Sequence, residues 1–137
     1  MIKRGSLNNE ERSEIESHVI ETYKFVSKIP WPPEYRRIPE IALRHHEKLD
    51  GTGYPDKLKG RDATSLQSRM MSIADIFDAL VAQDRPYKKS VPIDRVISIL
   101  QEEAGANKLD PDLVNLFIDK KIYIKFISPE QREQILN

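Results

Sequence analysis

Apolar residues recur at intervals of three and four along most of this chain, the spacing that gathers side chains on one face of an α-helix. Ile15, Val19, Tyr23 and Val26 form the first such stripe, and Asn8 with Glu11 three residues later has the form of a helix N-terminus. That helix should stop before Ile29-Pro30-Trp31-Pro32-Pro33, because proline cannot donate the helical hydrogen bond and disfavours helical geometry in the residue before it. A second pattern opens at Pro39, in the favoured first turn, and lines up Ile41, Ala42, His45 and Leu49 until Asp50-Gly51-Thr52-Gly53-Tyr54-Pro55 ends it. A third helix is expected from about Ser65 to Gln83, with Met70, Ile73, Ala74, Phe77, Leu80 and Val81 on its apolar side. The fourth should begin at Pro92 and use Ile93, Val96, Ile97 and Leu100 before Gly105, and the fifth should open on Asp110-Pro111. The run Ile122-Tyr123-Ile124-Lys125-Phe126-Ile127 alternates only in part and has no partner strand, so it is expected to be irregular or helical. Ser128-Pro129-Glu130-Gln131 then caps a last short helix. The fold class predicted is all-α, a helical bundle in which residues 1–137 form a single, partial domain.

Composition narrows the chemistry. Lys and Arg number 22 and Asp and Glu 22, so no net field draws the chain to DNA, RNA or an anionic membrane. The sequence has no cysteine and no apolar run near the length of a membrane span, and the expected location is the cytoplasm. Without thiolates, a metal site must use histidine, carboxylate and water, a donor set that suits Fe, Mn, Zn or Mg.

Only three histidines are present, and two are adjacent. On a helix, His45 and His46 would diverge by only about 100° and both could face one cleft, where a shielded neutral imidazole is a good ligand. His18 borders the first apolar stripe, with Glu14 one turn before it to orient the ring. Asp75 and Asp78 flank the apolar face of the third helix, and a carboxylate there needs a cation, a hydrogen bond or a metal. The glycines of Gly51-Thr52-Gly53-Tyr54-Pro55 would let backbone approach a ligand, and the tyrosine offers a stacking face. Asp84-Arg85-Pro86-Tyr87-Lys88-Lys89 joins three cations to an aromatic ring, a composition suited to phosphate and base. Each feature also has an ordinary structural explanation. His45 can be a core histidine beside a surface one, the glycine loop a tight exit turn, and Asp78 the ion-pair partner of Arg69, Arg85 or Lys88.

Taken together, His45-His46-Glu47, Asp50-Gly51-Thr52-Gly53-Tyr54-Pro55, Ile73-Ala74-Asp75-Ile76-Phe77-Asp78-Ala79-Leu80 and Asp84-Arg85-Pro86-Tyr87-Lys88 resemble, in order and spacing, the HD-GYP family. The likeness runs from about Gly5 to Phe117. It implies an all-α domain with a centre of two or three metal ions, iron or manganese, that hydrolyses cyclic di-GMP or a related cyclic dinucleotide. By the same likeness His18, His45, His46 and Asp75 would be metal ligands. Gly53, Tyr54 and Pro55 would form the signature loop, and Asp78, Arg85 and Lys88 would face substrate. One departure stands out: the sequence contains no His-Asp dipeptide, the pair that names the family and bridges its metals. The expectation is therefore of the C-terminal portion of such a domain, inactive by itself. A catalytically silent dinucleotide-binding module and a helical protein-interaction module are the alternatives. Helices left uncovered, with Ile15, Val19, Ile41, Ala42 and Phe77 on their stripes, would favour a homodimer.

Overall fold

The computed structural model describes residues 8–82 and 91–136, and among these it contains six α-helices and no strand. Helix α1 (Asn9–Ser27) begins as expected, with the Asn8 side chain accepting from the Glu11 backbone N–H at 2.8 Å. Its far end is closed by the Trp31 indole, which donates to the Val26 carbonyl at 2.9 Å. Helix α3 (Leu66–Val81) is capped by Ser65, α4 (Ile93–Gly105) follows Pro92, and α5 (Pro111–Asp119) is capped by Asp110. The Ile122–Phe126 segment is a 3-10 turn, followed by α6 (Pro129–Leu136). The fold is all-α, as its periodicity predicts.

The second helix differs from expectation. Helix α2 covers only Ile38–Arg44, and His45 is its C-cap. Leu49 is buried, as the stripe implied, but it reaches the interior from a turn: its N–H donates to the Lys108 carbonyl at 3.2 Å. An apolar spacing of four extends past the point where the backbone leaves the helix, so periodicity alone places the end too late.

The core lies toward the C-terminal helices. Ile73, Phe77 and Val81 of α3 pack with Ile93, Val96 and Leu100 of α4, Val114 of α5, and Leu109, Tyr123 and Ile127 from the connecting turns. Phe77, expected on an uncovered stripe, is buried; its ring meets Phe117 edge-on at 5.2 Å. Exposed apolar surface falls elsewhere, on Phe25, Met70, Met71, Leu116 and Phe126. Met70 and Met71 of α3 face Leu116, Ile122 and Phe126 across a groove of about 470 Å³ whose wall includes Asp75 and Asp78.

A carboxylate joins the third and fifth helices. Asp110 is 0% exposed and accepts from the Asp112 N–H at 3.0 Å as the N-cap of α5. The same side chain takes Arg69 from α3 at 2.5 Å and Arg61 at 3.2 Å. Arg69 is thus the partner of Asp110, not of Asp78.

Candidate metal centre

His45, His46 and Asp75 come together from two elements: the exit of α2 and the middle of α3. One ligand atom from each lies within 4.8 Å of the others. The rings of His45 and His46 are 3.9 Å apart between centroids, and His45 Nε2 is 3.9 Å from Asp75 Oδ2. Adjacency on a helix is not what pairs the histidines, since both lie past the end of α2.

The tautomer of His45 follows from its neighbour. Nδ1 is 2.7 Å from the Ala42 carbonyl oxygen, which can only accept, so Nδ1 carries the proton and donates. The lone pair then sits on Nε2, the nitrogen that faces Asp75, as metal-binding histidines are commonly arranged. For His46, burial and the neighbouring His45 lower the pKa from 6.5 to about 4. Its ring is therefore neutral near pH 7, and an arriving cation has no proton to displace there. Two imidazoles and a carboxylate, without sulfur, fit a divalent first-row ion.

The segment after the histidines folds back to support them. Tyr54 stacks on His46 with centroids 4.9 Å apart and planes 13° from parallel, and its backbone N–H donates to the His46 carbonyl at 3.1 Å. Burial, Asp75 and Glu16 raise the pKa of the Tyr54 phenol, which therefore stays protonated at neutral pH. Gly53 sits so close to the preceding strand of backbone that an added Cβ would fall 2.6 Å from the Glu47 Cα and closer still to the His46 carbonyl and Lys48 nitrogen. Its small size thus serves an approach to the protein's own backbone, the tight exit turn that the sequence also allows. Asp50 accepts from the Thr52 hydroxyl at 2.6 Å and N–H at 3.0 Å, which tightens the turn and lowers the Asp50 pKa. Pro55 completes the loop.

Glu47 is a residue whose part the sequence did not reveal. It is buried, and its two carboxylate oxygens accept the backbone N–H groups of Asp56 and Leu58, each at 2.8 Å. Arg44 lies 3.8 Å from it and also pairs with Asp56. Its partners are backbone N–H groups of a loop 9 and 11 residues away, which any residue type except proline could supply, so no periodic signal marks this carboxylate.

His18 stands outside the close group, exposed on α1, and Glu14 is exposed as well. Asp78 is exposed on the wall of the groove, one turn beyond Asp75. Arg85 and Lys88 lie outside the described residues.

The HD domain family model matches residues 1–113. The chain is 38% identical over 110 residues to the 3'3'-cGAMP-specific phosphodiesterase 3 of Vibrio cholerae, covering 80% of this chain and 23% of that protein. A cyclic di-GMP phosphodiesterase of the same organism is 46% identical over 79 residues, covering 58% of this chain and 15% of the relative. This chain belongs to the HD-GYP family. A Thermotoga maritima cyclic di-GMP phosphodiesterase is 32% identical over 118 residues, which are 86% of this chain and 31% of its own length. The chain thus spans less than a third of these HD-GYP relatives. In it, the Gly53-Tyr54-Pro55 signature is the loop that braces His46.

Proposed function

We propose that the chain is a metal-binding portion of an HD-GYP phosphodiesterase acting on cyclic di-GMP or a related cyclic dinucleotide in the cytoplasm. The observation that carries this reading is the convergence of His45, His46 and Asp75, with His45 Nε2 directed at Asp75 and His46 neutral. These three residues would hold iron or manganese, with His18 as a further ligand. A bound ion of this kind supplies Lewis acidity and an activated water. The chain's own residues fix the imidazoles, stack Tyr54 behind His46 and leave Asp75 half exposed to the groove. In this reading the Gly53-Tyr54-Pro55 loop and Asp78 take part in substrate binding, and a second copy covers the exposed apolar surface in a homodimer.

Because the sequence lacks a His-Asp pair to bridge two ions, the 137 residues alone should bind metal weakly and turn over little substrate. The purified chain, loaded with Mn²⁺ and incubated with cyclic di-GMP, tests this. The expected result is chelator-reversible Mn²⁺ binding with hydrolysis close to background. Robust metal-dependent turnover would contradict it, whereas tight nucleotide binding without metal would favour the silent binding module.

A further inference from the structure

Two buried polar side chains sit immediately behind the ligand group without belonging to it. Ser72 is on α3, three residues before Asp75, and its hydroxyl donates to the carbonyl of His45. Its oxygen is also 3.1 Å from the Ser68 carbonyl within the same helix, the usual resting place of a helical serine. The bond to His45 is the unusual one, because it crosses between elements. Helix α2 has ended at Arg44, so Ser72 gives the His45 carbonyl a partner from the helix that carries Asp75. Glu47 works from the other side. It follows His46 directly and ties that segment to Asp56 and Leu58, beyond the loop whose tyrosine stacks on His46.

The segment His45-His46 is therefore held at both ends, to the Asp75 helix by Ser72 and to the Tyr54 loop by Glu47. We infer that Ser72 and Glu47 are positioning residues for the metal centre, Ser72 setting the separation of the imidazoles from Asp75 and Glu47 the orientation of His46. This rests on the reading of His45, His46 and Asp75 as metal ligands. Three ligands from two elements bind one ion well only if their spacing is kept in the metal-free protein, and groups behind the ligands commonly govern affinity in this way.

The test is Mn²⁺ titration calorimetry on the intact chain and on Ser72→Ala and Glu47→Gln, with melting of each metal-free protein and the EPR spectrum of bound Mn²⁺. Each variant is expected to bind Mn²⁺ roughly 10–100-fold more weakly and to broaden or shift its EPR signal. Should Ser72→Ala fail to fold, Ser72→Cys keeps the size with a weaker donor and is expected to show a smaller loss of the same kind. Variants that melt earlier yet bind Mn²⁺ with unchanged affinity and spectrum would overturn the inference alone, leaving a purely structural role. Failure of the unsubstituted chain to bind Mn²⁺ would overturn the metal-centre reading and this inference with it.

Discussion

Replacing Asp110 with alanine is expected to destabilise the fold by about 3–5 kcal/mol, the largest effect of any single substitution considered for this chain. Three losses combine. Arg69 has a side chain only 11% exposed and would keep its charge with no partner at 2.5 Å. The α5 N-cap would lose its acceptor for the Asp112 N–H, typically worth about 1 kcal/mol. Arg61 would lose its contact at 3.2 Å, the weakest of the three because that side chain is half exposed and its attraction is screened by solvent. Asp110→Asn keeps an acceptor for the cap while removing the charge, so it should fall between wild type and alanine. Adding Arg69→Met to Asp110→Asn should recover part of the deficit, since two neutral partners leave no buried charge uncompensated. Urea unfolding followed by circular dichroism measures these differences. A loss below about 1 kcal/mol for Asp110→Ala would mean that the buried pair is not what joins α3 to α5.

The second large effect is at Gly53. An alanine methyl there would overlap the backbone of His46, Glu47 and Lys48, and backbone atoms cannot swing aside as the tip of a flexible side chain can. Overpacking of this kind costs about 1–3 kcal/mol, which for a chain of this size lowers the melting temperature by roughly 3–10 °C. The displacement would fall on the segment that presents the histidines, so Gly53→Ala should lose most Mn²⁺ binding as well as stability. Differential scanning calorimetry with and without Mn²⁺ separates the two effects. A variant that melts like the wild type and keeps its metal-induced rise in melting temperature would show that the loop has room to yield.

Most helices of this chain can be read from its sequence because their signals are local. Asn8, Ser65 and Asp110 cap the helices they precede, and the stripes through Ile73, Phe77, Val96 and Leu100 do form the core. Helix α2 was over-extended because Leu49 keeps the apolar spacing while the backbone beyond Arg44 turns away, drawn by pairings with Lys108 and with the segment around Asp56. Such contacts join residues far apart in sequence and leave no periodic trace. Of the four ligands that the motif spacing suggests, the fold brings His45, His46 and Asp75 together and leaves His18 exposed outside the group, and the two histidines are paired past the end of α2 and not by helical adjacency. Arg69 is one of three cations that the sequence offers to Asp78, whereas the fold pairs it with Asp110, 41 residues away. The supporting parts played by Glu47 and Ser72 depend on hydrogen bonds to backbone groups of other elements, which only the folded chain displays.

Crystals of the chain grown with Mn²⁺ and measured on both sides of the manganese absorption edge test the central claim most directly. The account predicts an anomalous peak within roughly 2.0–2.3 Å of His45 Nε2, an Asp75 carboxylate oxygen and a ring nitrogen of His46, and its disappearance in Asp75→Ala. The absence of a peak at these three residues in metal-saturated crystals, or a peak held only by carboxylates elsewhere on the surface, would contradict it.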